Sequence, residues 1–177
     1  MTEKIAILTS DDNNLKKCLE KFFAILKRDI DFIIADNVEN LEEGLKLIIL
    51  DGFYAELPQK IYEHNNVIRI HPSLLPAFDG DNALQKTFTS GVKVGGVTVH
   101  KMPYEENNLK ILAQYPILIG HGEHFDEFKL KIDELKSILV PYVVKSILDD
   151  TVFDWTELLN SGGCKSGCGG CGKCNQK

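Results

Sequence analysis

The chain has 177 residues, of which 44% are hydrophobic and 26% are charged, and its formal net charge is −6 at pH 7. This length and composition are typical of one globular domain with a hydrophobic core. The acidic balance argues against a broad nucleic-acid-binding surface, because binding phosphates requires clustered lysine and arginine. No apolar run approaches the ~20 residues that span a bilayer, and no signal peptide is recognisable at the N-terminus.

Short apolar runs alternate with amphipathic segments as far as residue 70, and this alternation predicts a parallel sheet covered on both faces. Ligands of such sheets bind beyond the carboxyl ends of the strands, so we expect the loops at 10–14, 51–57 and 71–80 at one binding edge. The predicted strands are 4–8, 31–35, 46–50 and 67–70, and the predicted helices are 15–26, 38–45 and 58–63.

The second half of the chain has a different pattern. Residues 91–101 are rich in glycine and β-branched residues and predict a strand, with an antiparallel partner at 109–116. Residues 124–148 have helical periodicity, and we expect Pro141 to start a new helical segment or to kink this one. The sequence thus predicts a three-layer α/β fold with a mainly parallel sheet and an antiparallel extension. Its predicted divisions are a domain at 1–150, a linker at 151–163 and a cysteine-rich tail at 164–177.

The most specific segment is IHPSLLPAF at 70–78, in which a predicted strand ends in His71 and two prolines bracket a turn. Downstream, GVKVGGVTVH ends at His100, and Gln114 follows in the next predicted strand. In this order, these motifs resemble the folate-dependent formyltransferases, and most closely their glycinamide ribonucleotide branch, over residues 3–148. The resemblance implies the Rossmann-like fold of that family.

The resemblance also implies transfer of a formyl group from 10-formyltetrahydrofolate to an amine. The family uses an Asn, a His and an Asp, and of these only the His is kept, as His71. The Asn position holds Arg69, a permanent cation that could still stabilise an oxyanion. The Asp position holds Asn107, which cannot usefully accept a proton at neutral pH. The chain therefore resembles either a divergent transferase or a catalytically inactive member.

The substrate-binding segments depart from the family as well. The loop at 10–14 reads SDDNN, whose two carboxylates would repel a phosphate that the family cradles with small residues. Ala55 and Glu56 replace an Arg and an apolar residue, and Lys136 stands where the glycinamide ribonucleotide enzymes carry a Glu. Carried over from the family, the substrate- or cofactor-binding residues are Ser10, Asn13, Asn14, Gly52, Phe53, Tyr54, Leu57 and His100.

Four of the five cysteines lie at the end of the sequence, with the spacing Cys-x3-Cys-x2-Cys-x2-Cys. Four thiolates satisfy a tetrahedral zinc ion or an iron–sulfur cluster, and the single compact run favours iron–sulfur. The alternative is a redox-active or metal-scavenging tail, or one that docks a protein partner. The predicted metal ligands are Cys164, Cys168, Cys171 and Cys174.

Two hypotheses follow from the sequence. In the first, the chain is a divergent formyltransferase with an unidentified amine substrate. In the second, it is an inactive relative whose metal tail serves redox chemistry, metal handling or docking. An open pocket around His71 would favour the first, and a pocket filled by Arg69 and Tyr54 the second. For both we expect a cytoplasmic protein with a small-molecule ligand and neither a nucleic-acid nor a membrane partner.

Overall fold

A computed structural model describes residues 2–9, 14–103 and 109–160 of the chain. Strands and helices alternate in its first half. The strands are β1 (Glu3–Thr9), β2 (Ile30–Ala35), β3 (Leu47–Asp51), β4 (Asn66–His71), β5 (Val94–Met102) and β6 (Ile111–Leu118). The α-helices are α1 (Asn14–Ile25), α2 (Gln59–His64), α3 (Ala83–Thr89), α4 (Phe125–Leu148) and α5 (Trp155–Asn160). Seven residues with predicted roles lie outside the described part: Ser10, Asn13, Asn107, Cys164, Cys168, Cys171 and Cys174.

The six strands form one sheet in the order β2-β1-β3-β4-β5-β6. β1 pairs in parallel with β2 and β3, and β3 pairs in parallel with β4. β5 then runs antiparallel to β4, and β6 antiparallel to β5. The predicted α/β fold, mainly parallel with an antiparallel extension, is confirmed.

Helices cover both faces of the sheet, which gives three layers. On one face α1 and α4 bury Leu19 and Leu139 against strand residues such as Ile49. On the other face Leu57, in the segment before α2, packs with Leu50. Strand residues alternate between the two clusters because successive side chains point to opposite faces. Each fully buried leucine contributes roughly 1.5–3 kcal/mol to the hydrophobic stabilisation.

Two predicted elements differ from the structure. The helix predicted at 38–45 is only a 3-10 turn, Val38–Asn40, because the Asn37 side chain caps Asn40 N at 3.0 Å and Leu41 is already extended. The strand predicted from residue 91 begins at Val94, because Gly91 takes the left-handed conformation with φ 79° and turns the chain.

Pro141 does not start a new helix, since α4 continues through it to Leu148. A proline cannot donate to the carbonyl four residues earlier, which here is that of Ser137. That carbonyl accepts a hydrogen bond from the Cys18 thiol on α1 at 3.0 Å. Burial raises the pKa of Cys18, which keeps the thiol protonated and able to donate. An unpaired carbonyl in α4 is therefore satisfied by the helix packed against it.

The segment predicted as a linker is packed structure as far as residue 160. Leu158 on α5 is 1% exposed within the main core cluster. The ring of Trp155 packs edge-on against Tyr115 of β6, with 5.1 Å between the centroids. The folded domain thus extends beyond the predicted boundary at residue 150. Within the described ranges no helix is both long and apolar enough to cross a membrane.

Candidate functional site

Four polar side chains lie together on the face of β4 and β5 that carries α2. Arg69 and His71 are two residues apart on β4 and therefore point the same way. On the antiparallel neighbour, His100 lies opposite Arg69 and Thr98 opposite His71. Facing residues of an antiparallel pair share one side of the sheet. The alternation of the two strands thus brings the predicted residues Arg69, His71 and His100 together.

The loop after β4 folds back onto His71. Ser73 Oγ donates to Ala77 O at 2.8 Å, which closes a tight turn. His71 Nε2 lies 3.2 Å from Phe78 O, and a carbonyl can only accept, so this ring nitrogen carries the proton. The neutral imidazole then keeps its lone pair on Nδ1. The loop therefore fixes both the orientation and the tautomer of His71.

β5 and β6 hold the same loop from the other side. Thr98 Oγ1 donates to Ser73 O at 2.7 Å and accepts from Leu75 N at 3.0 Å. Gln114 Nε2 donates to Leu75 O at 2.8 Å and to Thr98 Oγ1 at 3.0 Å. The threonine and glutamine of the sequence motifs thus position the HPSLLP loop.

Both histidines of this face are uncharged at neutral pH. His71 and His100 are each 3% exposed. Burial lowers the pKa of His71, and nearby Arg69 lowers it further. Burial, together with Arg69 and His71, lowers the pKa of His100 to about 4, although its Nδ1 donates to Lys101 O at 3.3 Å. His71 is therefore available as a base rather than as a cation.

Arg69 is a partly buried cation that has no ion-pair partner among the described residues. Its Nε is fully buried with no hydrogen-bond partner, and no carboxylate of the described residues pairs with it. Burial lowers its pKa, while Tyr62, Tyr54 and Asp79 act electrostatically in the opposite direction without bonding to it. An unsatisfied buried donor costs about 1–3 kcal/mol, so this position is costly to maintain.

A buried ion pair lies at the same edge of the sheet, on the opposite face. Lys136 Nζ of α4 lies 2.9 Å from Asp51 Oδ1 at the end of β3 and 3.5 Å from Asp133 Oδ1. Burial alone would lower the pKa of Lys136, but the two carboxylates outweigh it and raise the pKa above its ordinary value. Sequence reasoning missed this pair, because its partners are 85 residues apart and belong to different elements.

Two clefts meet at the ion pair. The first has a volume of about 360 Å³ and lies between the ends of β3 and β4, α3 and α4, with Tyr54 in its wall. The second, of about 770 Å³, lies between α1 and α4. The two clefts share two acidic and two basic side chains, which are the only charged residues that the described part of the chain contributes to the first cleft: Asp51, Lys129, Asp133 and Lys136.

A family model described as formyl transferase matches residues 28–144, which is most of the sheet together with α4 as far as Val144. The chain belongs to the formyl transferase family.

Individual formyl transferase relatives match over a part of their length. Phosphoribosylglycinamide formyltransferase of Bacillus subtilis is 34% identical over 106 residues, 59% of this chain and 54% of that protein. Formyltetrahydrofolate deformylase 2, mitochondrial, of Arabidopsis thaliana is 27% identical over 115 residues, 64% of this chain and 35% of that protein. The chain spans about half the length, or less, of these curated relatives.

Solved structures of the family share the fold. The crystal structure of phosphoribosylglycinamide formyltransferase from Anaplasma phagocytophilum superposes with a TM-score of 0.69 at 24% identity. The superposition covers 85% of this chain and 89% of that one. The three-layer architecture is therefore that of the formyl transferases.

The described residues predicted from the formyl transferase resemblance fall into four places. Gly52, with φ 68°, and Tyr54, 44% exposed, line the first cleft, while Asn14 lines the second. Phe53 and Leu57 pack into the core beneath the sheet and line neither cleft. The side chains of Arg69 and His71 line neither of these two clefts and lie with His100 on the β4–β5 face.

Proposed function

We propose that the chain moves a formyl group from 10-formyltetrahydrofolate to a small amine at the carboxyl edge of β4. One observation carries this proposal: His71 is neutral, and its Nε2–H is bonded to Phe78 O at 3.2 Å. A base fixed in a single tautomer is what proton transfer requires. Family membership supports the formyl donor, which the name of the Arabidopsis relative also contains.

His71 would accept the proton that the acceptor loses. The amine nitrogen attacks the formyl carbon and forms the new C–N bond, and the bond from that carbon to N10 of the folate breaks. His71 Nδ1 takes one proton from the amine and returns it to N10. The products are a formylated amine and tetrahydrofolate, so atoms and charge balance.

Arg69 would stabilise the negative charge that develops on the formyl oxygen. Its side chain lies on the same face as His71, and its Nε–H has no partner among the described residues. Donors directed at a developing oxyanion in a buried site accelerate acyl transfer strongly. A guanidinium would thus replace the small amide that the family carries, while Asn107 remains a predicted site residue.

The acceptor amine would enter from the first cleft. Asp51 faces Ile70 across the β3–β4 pairing, one residue before His71. The two acidic and two basic side chains that border the cleft leave no excess of positive charge for a phosphate. We therefore favour a small uncharged or zwitterionic amine over a phosphorylated one.

A second candidate function is ligand binding without turnover. The 3% exposure of His71 and the bulk of Arg69 beside it favour this alternative. The two functions share a ligand and differ in whether the formyl group leaves it.

The test is an assay of the purified full chain with 10-formyltetrahydrofolate and a panel of small amines, with water alone as a further acceptor. Tetrahydrofolate release and amine formylation are measured together. We expect turnover that falls about 10²- to 10⁴-fold in His71→Gln, as for loss of a general base. The matched control is His64→Gln, at the exposed end of α2, which should keep the wild-type rate. Donor binding without turnover would favour the second function, and absence of binding would contradict both.

The cysteine tail carries a separate proposal, which depends on the sequence spacing alone. We propose that Cys164, Cys168, Cys171 and Cys174 bind one metal centre, an iron–sulfur cluster in preference to zinc, for redox chemistry, metal handling or docking of a protein partner. Protein purified without oxygen should contain iron and acid-labile sulfide that Cys168→Ser removes. One zinc ion per chain would instead identify the metal centre as a zinc site. Metal-free protein with four free thiols would contradict the proposal.

A further inference from the structure

Arg69 differs from the other partly buried cations of the described residues. The Arg28 guanidinium contacts two carboxylates, those of Glu3 and Asp149. Lys136 likewise has Asp51 and Asp133. Within residues 2–9, 14–103 and 109–160, Arg69 has neither an ion pair nor a hydrogen bond at its buried Nε. A fully buried donor of a cation is unfavourable when it has no partner, so an anion from outside the described residues would stabilise this site.

The surroundings of Arg69 determine the charge of that anion. His71 and His100 lie on the same face and are neutral, and burial raises the pKa of Tyr54, so its hydroxyl is neutral as well. Asp79 lies near enough to act electrostatically on Arg69 and on both histidines. The site therefore offers one positive charge beside one negative neighbour. A monoanion can pair with the guanidinium, whereas a dianionic phosphate would bring a second negative charge close to Asp79.

Geometry favours a carboxylate among monoanions. A guanidinium presents a planar fork of N–H donors, which matches the two oxygens of a carboxylate. We propose that Arg69 binds a small monocarboxylate in the resting protein, next to His71 on the β4–β5 face. This goes beyond formyl transfer, because it concerns an anion held in the absence of the folate. The carboxylate could belong to free formate or to the end of a larger acid, and the two share this chemistry.

The experiment is an NMR titration of the full chain with sodium formate, sodium acetate and inorganic phosphate, with sodium chloride at equal ionic strength as the salt control. The imidazole Cε1–H signals of His71 and His100 report on the site, and those of His64 report on general salt effects. We expect saturable shifts at His71 and His100 with formate or acetate, at dissociation constants of roughly 1–10 mM for one forked ion pair.

Variants separate the Arg69 site from other cations. Arg69→Gln should weaken carboxylate binding by about tenfold or more, the effect expected of losing a charge-assisted bond. Arg69→Lys keeps the charge but loses the fork, and should give intermediate affinity. The matched control, Arg28→Gln, should leave affinity unchanged. Tighter binding of formate than of acetate would indicate that the natural ligand is free formate. Tighter binding of acetate would indicate the carboxylate end of a larger acid.

Three results would overturn the inference. These are no saturable shift at His71 and His100 in the wild-type protein, phosphate binding tighter than either carboxylate, or equal carboxylate affinity in wild type and Arg69→Gln. The first two need no variant, so they decide the matter even if a substitution perturbs folding. No folate is present in this experiment. If the titration fails while formyl transfer is intact, only the carboxylate site is contradicted. If carboxylates bind but no formyl transfer occurs, only the proposed reaction is contradicted.

Discussion

His100 and His71 are kept uncharged by burial, which makes the stability of the domain depend on pH. An unfolded histidine binds a proton below about pH 6.5, whereas folded His100 does so only near pH 4. Between these values the unfolded state holds more protons. The contribution of His100 to the free energy of unfolding is therefore complete above pH 6.5 and is lost as the pH drops towards 4. His71 adds to this loss in the same direction.

We therefore expect His100 to account for a loss of roughly 2–3 kcal/mol between pH 7 and pH 4. Urea unfolding of wild type, His100→Gln and His64→Gln at several pH values measures it. The dependence of the free energy of unfolding on pH should weaken in His100→Gln and stay as in wild type in His64→Gln. Equal slopes in all three proteins would mean that His100 does not titrate as its burial implies.

The Asp51–Lys136 pair contributes to stability at neutral pH and loses its contribution at alkaline pH. Lys136→Met leaves the Asp51 carboxylate buried without a cation, and we expect a loss of roughly 2–3 kcal/mol in the free energy of unfolding. The double variant Asp51→Asn/Lys136→Met removes both charges and should recover most of it. Because the pKa of Lys136 is raised, its contribution is present below about pH 10.4 and is lost as the pH rises through the folded value.

Chemical denaturation at neutral and alkaline pH checks this prediction. The control is Lys16→Met, which removes one partner of the Lys16–Glu20 ion pair on α1. This pair is more exposed than Asp51–Lys136, so its loss should cost much less. A Lys136→Met protein as stable as wild type, or a double variant no better than the single one, would show that the pair is not a buried unit.

At the scale of elements, the alternation of apolar runs was sufficient to predict all six described strands and the long helix. Local periodicity fixes which residues face the core, and that information is in the sequence. The false helix at 38–45 arose because the Asn37 cap and the extended Leu41 end the helical turn. Pro141 does not begin a new helix, and the cost of its missing N–H is offset from another helix, by the Cys18 thiol.

This thiol–carbonyl bond can be tested by a double-mutant cycle. Cys18→Ala should lower the free energy of unfolding by roughly 1–2 kcal/mol, from the lost bond and the lost packing. In a Pro141→Ala background the new N–H of residue 141 can satisfy Ser137 O, so the same change should cost less. Urea unfolding of the four proteins gives the coupling, and a coupling of zero would rule out the compensation.

At the scale of the whole molecule, the domain includes α5. Leu158→Ala removes a side chain that is 1% exposed and should cost about 2–5 kcal/mol, as for other buried leucines. The neighbouring control, Leu159→Ala, changes a side chain that is 53% exposed and should have little effect. Thermal or urea unfolding measures both. Equal losses in the free energy of unfolding from the two changes would indicate that residues 151–160 are a linker and not part of the domain.

The resemblance named Arg69, His71 and His100 as candidates, and the register of β4 with β5 places them on one face. The sequence could not predict the missing partner at Arg69 Nε or the meeting of Lys136 with Asp51. Both depend on how distant elements pack, and neither leaves a pattern along the chain. Leu57 was assigned to ligand binding by resemblance, yet its side chain completes the core beneath the sheet.

The central claim is that the formyl donor binds at the carboxyl edge around His71. Hydrogen–deuterium exchange of the full chain, with and without 10-formyltetrahydrofolate, tests it most directly. We expect slower exchange in residues 69–80 and 98–103 when the donor is present, in wild type and in His64→Gln alike. Unchanged exchange at this edge, or protection confined to another part of the domain, would contradict it.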